Sequence, residues 1–286
     1  MQQNAILAVI DPTRDDQIAL SKAQQIAAKT GARVHAFCCC YLQAEKMGDY
    51  GSKSEAKQAT LDNARKKLSA LTTPLEQQGI AVSTECYWNE RWYESVVQAC
   101  ARSGATLLIK STRPHTRLKR AVSKTSDYVM LRNAPCPVLL VRSDQPWQQG
   151  KVLAAVTLER EDREHELLNS AIVTQAQHLV QLTGAELHLV SATPEIPNLA
   201  QVLRLLEEEA ESDNNALVAK RFGVEPEHVH LQHGQAKSVI IDTVKQLQPD
   251  VLIMGTTARR GIGGVLLGNT AEKVLDEVEI DTLTVS

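Results

Sequence analysis

A chain of 286 residues, 43% of them hydrophobic, is long enough for about two domains that each bury an ordinary core. No apolar run reaches the roughly 20 residues of a membrane span and no basic leader opens the chain, which predicts a cytoplasmic protein. The net charge of −3 divides unevenly: residues 1–146 hold 20 Lys and Arg against 13 Asp and Glu, whereas residues 147–286 hold 11 against 21.

The first half alternates short apolar runs with amphipathic stretches. The run ILAVID predicts a strand that is buried on both faces. In the helix that follows, Asp15 or Asp16 is the expected N-cap, and Gly31 is the expected glycine after the last turn. Further strands are predicted at RVHAFCC, AVSTECY, TLLIK and PVLLV. This alternation indicates a parallel sheet with helices on both faces.

The second predicted strand contains the run FCCC. All six cysteines lie in the first half, in apolar surroundings and without a CxxC pair: Cys38, Cys39, Cys40, Cys86, Cys100 and Cys136. This arrangement does not fit the disulfide framework of a secreted protein, so we expect reduced thiols. We interpret FCCC as a buried strand that uses cysteine as a small hydrophobic residue. A redox sensor is the alternative, but nothing near Cys39 favours a thiolate.

The second half repeats the pattern of the first, with strands expected at VLAAV, ELHLVSA, HVHLQH, DVLIMG and TLTV. At a constant offset of 145 residues, Gly255 aligns with Lys110 and Gly268 aligns with Ser123. Two copies of one unit fit this periodicity better than one large domain. We therefore predict two doubly wound α/β domains, residues 1–143 and 150–286, each with a five-stranded parallel sheet. The segment SDQPWQQGK joins them.

Three segments resemble the universal stress protein family in its tandem, two-domain form: the strand ILAVID, the junction APCPVLLVR–DQPW and the stretch MGTTARRGIGGVLLGNTAEKV. Nucleotide-binding members of that family carry Gly, two residues, Gly, nine residues, Gly and then Ser or Thr after the fourth strand. In this chain the corresponding positions hold Gly255, Ala258, Gly268 and Asn269. The spacing is intact, and two of the three glycines are present.

The resemblance implies a Rossmann-like fold of the adenine nucleotide alpha hydrolase type and a role in the stress response. In binding members, ATP lies outside the carboxyl ends of the first and fourth strands, which is the usual crevice of a doubly wound sheet. The resemblance also implies that the two halves form a pseudo-dimer within one chain, and it allows a further homodimer.

The loop of the second copy suits a phosphate group, since glycines permit several backbone N–H groups to converge on one anion. Two substitutions oppose binding. Ala258 adds a methyl group, and Asn269 replaces the hydroxyl of the family motif. Asn269 with Glu272 also fits a capping box, so a well-capped helix after a tight turn is the alternative. The candidate ligand residues of this copy are Thr157, Met254, Gly255, Thr256, Gly261, Gly264, Gly268, Asn269 and Thr270.

The loop of the first copy has lost every glycine, so we do not expect it to hold ATP. The family often places an aspartate at the end of the first strand, and the first copy has Asp11 there where the second has Thr157. The vestigial site of the first copy thus comprises Asp11, Lys110 and Ser123.

Six bases occur around this first-copy loop without an intervening acid: Lys110, Arg113, Arg117, Lys119, Arg120 and Lys124. They indicate either an anionic partner or pairing with the acidic second half. An aromatic content of 3% and the negative net charge disfavour nucleic acid.

No catalytic or metal site is predicted. His228, His230 and His233 are close in sequence, but their segment contains no carboxylate or cysteine that would complete a metal site. The chain contains no GxSxG, HExxH or GxxxxGK[ST] motif. We expect a non-enzymatic binder whose only cofactor candidate is ATP or another phosphorylated ligand. A ligand-free interaction scaffold and a slow ATPase are the alternatives.

Overall fold

The computed structural model describes residues 4–112, 120–158, 162–193, 214–261 and 264–286. For residue 44 and residues 120–126, 257–261 and 264–267, it describes the backbone alone. The chain divides into two compact units, Met1–Pro146 and Trp147–Ser286.

The first unit contains a five-stranded parallel sheet in the order β3-β2-β1-β4-β5. Its strands are β1 (Ala5–Ile10), β2 (Arg33–Cys40), β3 (Val82–Trp88), β4 (Leu107–Ser111) and β5 (Val138–Val141). Its helices are α1 (Ile18–Thr30), α2 (Ala44–Met47), α3 (Lys53–Gln77), α4 (Trp92–Ser103) and α5 (Arg120–Asn133).

The second unit repeats this arrangement, with the parallel order β8-β7-β6-β9-β12. Its strands are β6 (Lys151–Ala155), β7 (Glu186–Thr193), β8 (Val229–His233), β9 (Val251–Gly255) and β12 (Asp281–Val285). Its helices are α6 (Arg163–Thr183), α7 (residues 214–222), α8 (Ala236–Leu247) and α9 (Asn269–Glu277), and a 3₁₀ turn spans Pro226–His228. An antiparallel hairpin of β10 (Thr257–Gly261) and β11 (Gly264–Leu267) lies between β9 and α9.

The predicted fold class is confirmed, because each unit alternates strands and helices around a five-stranded parallel sheet. The central strands form the core: most of β1 is buried in the first unit together with Leu108 and Ile109 of β4, and most of β6 and β9 is buried in the second. Continuous apolar runs in these strands are what two covered faces require. Among the residues described, no helix is long and apolar enough to cross a membrane.

The ends of α1 confirm one sequence prediction and correct another. Gly31 ends the helix in the left-handed conformation with a φ of 69°, as expected of a residue without Cβ. The prediction of Asp15 or Asp16 as the N-cap was wrong, because Gln17 occupies that position and its side chain does not cap the helix. The Gln17 amide instead donates to the backbone carbonyls of Asp11 and Arg14.

The FCCC run lies in β2, and Cys38, Cys39 and Cys40 are all buried and free. Burial raises the pKa of Cys38 to about 12 and that of Cys39 to about 11. These thiols therefore stay protonated at neutral pH, which supports the hydrophobic interpretation over a redox sensor.

Asp250, at the start of β9, binds the segment that leads into the second unit. Its Oδ1 accepts the N–H groups of Gln148 and Gln149 at 2.8 and 3.0 Å, and its Oδ2 accepts that of Gly150 at 2.8 Å. Next to these, Trp147 Nε1 donates to Asp281 Oδ2 at 2.8 Å. Residues 147–150 are thus fixed to their own unit by charge-assisted hydrogen bonds.

We predict that Asp250→Ala lowers the unfolding free energy of the second unit by about 1–2 kcal/mol, because three backbone donors lose a charged acceptor. The measurement is urea denaturation read by hydrogen exchange of second-unit peptides. The matched control is Asp242→Ala, since Asp242 meets Lys245 at 3.8 Å on the surface and such pairs contribute about 0–1 kcal/mol. Equal losses in the two variants would contradict the anchoring role.

Candidate functional site

The predicted ligand residues of the second unit converge at the carboxyl edge of its sheet. Strands β6 and β9 are parallel neighbours, with Ala155 opposite Met254. Thr157 and Thr256 follow these strands and therefore leave the sheet at the same edge, next to each other, as the doubly wound topology requires. Met254 itself is buried within β9, so its side chain belongs to the core.

A buried amide holds the chain where it leaves β6. Asn169, on α6, accepts the N–H of Thr157 at 3.0 Å and donates to the carbonyl of Thr157 at 2.7 Å. In the first unit Gln17 does the same for Asp11, at 3.1 and 2.9 Å. Sequence reasoning missed both amides. For Asn169 the available signal was a polar residue on the buried face of a helix.

Gly255 ends β9 at a point of close packing. A Cβ atom at this position would lie 2.6 Å from Leu168 Cδ2 and 3.0 Å from its Cγ. The backbone of Gly255 does not adopt a positive φ. The glycine therefore lets the Leu168 side chain of α6 lie against the backbone, and a larger residue would require that side chain to shift.

The two ends of the loop between β9 and α9 are hydrogen-bonded to each other, and the first of them is also bonded to β12. The N–H and the hydroxyl of Thr256 both donate to the carbonyl of Val285, at 2.9 and 3.2 Å. The N–H of Gly268 donates to the carbonyl of Thr256 at 2.9 Å. Since these donors are used inside the protein, the N–H groups of Thr256 and Gly268 do not face a ligand.

Between these ends, the described backbone forms a hairpin that the sequence did not predict. Gly261 pairs with Gly264, and Ala258 pairs with Leu266 within β10 and β11. A strand backbone is accessible to any residue, so alanine in place of the family glycine is compatible with this conformation. Residue 263, the remaining glycine of the loop, lies outside the described part of the chain.

Helix α9 begins with an open N-terminus. Its N-cap is Gly268, in an extended conformation with a φ of −67°, and no side chain caps the helix. The prediction of Asn269 as the N-cap was wrong, because Asn269 is the first helical residue and is exposed together with Thr270. The first intrahelical bond runs from the N–H of Glu272 to the carbonyl of Gly268 at 3.0 Å.

In the first unit an ion pair lies at the end of β4, where Lys110 occupies the position equivalent to Gly255. Lys110 Nζ lies 3.1 Å from Asp127 Oδ1, with side chains 16% and 13% exposed, and 5.3 Å from the centre of the Trp92 ring. Sequence reasoning missed Asp127, which aligns with Glu272 at the offset of 145 residues. One base of the predicted basic group is thus neutralised by an acid on α5.

The structure describes the other first-unit residues of interest to different extents. Asp11 Oδ1 accepts the N–H and the hydroxyl of Thr13 at 2.9 and 2.6 Å, so its carboxylate stabilises a local turn. The backbone of Ser123 lies in α5, and its side chain is not described. Of the predicted basic group, Arg113, Arg117 and Lys119 lie outside the described residues, and for Arg120 and Lys124 only the backbone is described.

A cavity of about 300 Å³ lies in the first unit, near the carboxyl ends of β1 and β2. Its walls include Cys38, Cys40, Tyr50, Asn63 and Lys67. Lys67 donates to the carbonyl of Arg14 and also meets Asp15 at 3.3 Å, so the cation is held by the chain itself.

At β7 and β8, two histidines that the sequence analysis considered, His228 and His230, lie beside two residues that it did not, Glu186 and His188. The ring nitrogen Nδ1 of His188 is 3.1 Å from Nε2 of His230. His233 lies apart from them and contacts the Thr193 hydroxyl at 3.0 Å. Burial and the neighbouring imidazoles lower the pKa of His188 to about 4, and burial also lowers that of His230. Both rings are therefore neutral at pH 7.

Comparison with known proteins shows the same family over both units. Residues 4–142 and 151–286 each match the universal stress protein family. Universal stress protein E of Escherichia coli is 31% identical over 301 aligned positions, covering 100% of this chain and 94% of that protein. Its counterpart in Photorhabdus laumondii is 32% identical and covers 98% and 94% of the two chains.

Solved structures share the fold of the whole chain. A Pseudomonas aeruginosa protein of unknown function superposes with a TM-score of 0.78 at 32% identity, covering 99% of this chain and 92% of that one. A universal stress protein of Archaeoglobus fulgidus superposes with a TM-score of 0.69 over 98% and 95% of the chains. At 18% identity, this second structure is similar in fold alone.

We predict that Gly255→Ala lowers the unfolding free energy of the second unit by about 1–3 kcal/mol, the usual cost of overpacking. The cause would be the clash with Leu168, so the same substitution should cost much less in a Leu168→Ala background. Urea denaturation of the wild type, both single variants and the double variant forms the required cycle. A cost that is equal in the two backgrounds would show that Leu168 is not the reason for the glycine.

Proposed function

The chain belongs to the universal stress protein family, and we propose that it acts in the stress response as a non-enzymatic binder of a small phosphorylated ligand. The ligand that we propose is an adenine nucleotide, held at the carboxyl edge of the second unit. The observation that carries this proposal is the open N-terminus of α9, where Gly268 leaves the first turn without a side-chain cap.

An open helix N-terminus is suited to an anion. The first backbone N–H groups of a helix have no partner within it, and the helix dipole adds partial positive charge at the same point. Asn269 and Thr270 occupy this turn and are exposed, so a phosphate can approach the backbone there. The Thr270 hydroxyl supplies a further donor, in place of the hydroxyl that the family motif has one residue earlier.

The proposed site is smaller than the sequence predicted. Because Thr256 and Gly268 donate their N–H groups to Val285 and Thr256, the phosphate donors that we propose are those of the first turn of α9. Glu272 lies in the same turn and carries a negative charge. We therefore propose weak binding, with the nucleoside beside the end of β6 at Thr157.

We predict that ATP releases or absorbs heat on binding in calorimetry at millimolar concentration, and that Gly268→Asp weakens this binding about tenfold or more, which corresponds to about 1.4 kcal/mol. The introduced carboxylate would cap α9 and repel phosphate, and aspartate is a good N-cap, so the variant should remain folded. The matched control is Gln235→Asp, because Gln235 is the uncapped N-cap residue of α8 in a similar extended conformation.

Parallel titrations with AMP, adenosine and pyrophosphate separate the two parts of the ligand. Binding of pyrophosphate but not adenosine would place the affinity in the phosphate contacts alone. No heat with any of them, and no protection of residues 255–270 from hydrogen exchange, would contradict the proposal and favour a ligand-free interaction scaffold. Phosphate release from ATP that is lost in Gly268→Asp would instead identify a slow ATPase. A pseudo-dimer of the halves and a further homodimer stay predictions of the resemblance.

A further inference from the structure

Two neighbouring strands of the second unit bring four side chains with metal-binding atoms to one place. Glu186 and His188 are two residues apart on β7 and so share a face of the sheet. Leu189 pairs with Val229 and Val190 pairs with His230, which sets His188 beside His228 at the start of β8. These residues lie at the amino ends of their strands, opposite to the edge with the proposed ligand site.

The ligand atoms have the separations of an incomplete coordination sphere. Glu186 Oε2 lies 3.5 Å from His188 Nε2 and 4.0 Å from His228 Nε2, and all three atoms lie within 4.8 Å of one another. In a tetrahedral zinc site with bonds of about 2.0–2.1 Å, ligand atoms lie about 3.3 Å apart. Small side-chain rotations would therefore close this triangle around one ion.

His188 provides an independent observation that points to a ligand at this position. Its side chain is 7% exposed, and its Nε2 has no hydrogen-bond partner among the described residues. A buried ring nitrogen without a partner is costly and is rare in native proteins. The unsatisfied atom points toward Glu186 and His228, the two groups that would share an ion with it.

The other ring nitrogen of His188 is already occupied. Its Nδ1 forms a hydrogen bond with His230 Nε2 at 3.1 Å, and the two rings are stacked at an angle of 20°. When Nδ1 donates in this bond, Nε2 carries a lone pair, which is the tautomer that a metal ion needs. Hydrogen bonds from the second ring nitrogen are the usual way in which proteins orient a metal-binding histidine.

The first unit shows what the same position looks like without these residues. His35 occupies the corresponding place on β2, where Nδ1 bonds to Ser83 Oγ at 2.8 Å and Nε2 lies 3.3 Å from Glu85 Oε2. Both ring nitrogens of His35 thus have partners on β3. In the second unit the positions of Ser83 and Glu85 are taken by His228 and His230, which leaves His188 Nε2 unsatisfied.

We propose that Glu186, His188 and His228 form a binding site for a divalent transition-metal ion, with zinc as the best match, and that His230 is a positioning residue for His188. Two imidazoles and one carboxylate suit zinc, whereas calcium and magnesium prefer oxygen ligands throughout. Glu186 and His228 are partly exposed, so the ion has a path from solvent and water completes its coordination. The ion would link β7 to the 3₁₀ turn before β8.

The test is calorimetric titration of ZnCl₂ into the full chain, prepared without a histidine tag and stripped with a chelator. We expect saturable binding of one ion per chain. His228→Gln should weaken it about 100-fold or more, and His230→Gln about 10- to 100-fold, the usual effect of losing an orienting partner. Two matched controls, His178→Gln on the exposed face of α6 and His35→Gln in the first unit, should leave the affinity unchanged.

Several outcomes would overturn the proposal: no saturable binding, a stoichiometry above one ion that His228→Gln does not reduce, or equal weakening by His178→Gln. His228 is partly exposed, so its substitution tests the site even if a change at the buried His188 prevents folding. Substitution with Co²⁺ gives a second readout, because visible absorption typical of a four-coordinate ion should appear in the wild type and be lost in His228→Gln. MgCl₂ should not compete.

Discussion

The parallel register of the strands is the constraint on which the second unit depends. Because Ala155 lies opposite Met254, the chain leaves β6 and β9 side by side at one edge of the sheet, where Thr157 follows β6 and Thr256 follows β9. Because Leu189 lies opposite Val229, the amino ends of β7 and β8 bring Glu186, His188 and His228 together. Parallel pairing thus organises both edges of the sheet, and a shift by one residue in either pair of strands would separate the group that depends on it.

The two units show how one fold accommodates different chemistry at equivalent positions. After the fourth strand, the first unit has Lys110, whose ammonium group is paired with Asp127, and the second has Gly255, against which Leu168 packs. That ion pair is only slightly exposed. In the second unit glycine stands at position 255, and Glu272 aligns with Asp127. The equivalent histidines also differ: both ring nitrogens of His35 have partners on β3, whereas Nε2 of His188 has no hydrogen-bond partner among the described residues.

The sequence allowed the strands, the repeat and the fold class to be predicted, because these depend on local apolar periodicity and on the internal alignment. Gly31 was also predictable, since a left-handed residue after a helix has a strong preference for glycine. The features that were missed depend on contacts between distant residues. Gln17 and Asn169 act on the chain at the ends of β1 and β6, which no local pattern indicates. Glu186 was missed as a neighbour of His228 for the same reason, because it comes from another strand.

The two glycines of the family motif do not have equal weight as evidence for a ligand. Gly255 has an explanation in packing, since a Cβ atom there would require the Leu168 side chain to shift. Gly268 has an ordinary φ of −67°, so its backbone does not require glycine, and a polar N-cap would be more stabilising by a few tenths of a kcal/mol. Packing accounts for the first glycine, whereas the backbone conformation does not account for the second. A glycine that its own φ does not require is the stronger indication of function, so the proposed phosphate site rests on Gly268 and the open first turn of α9.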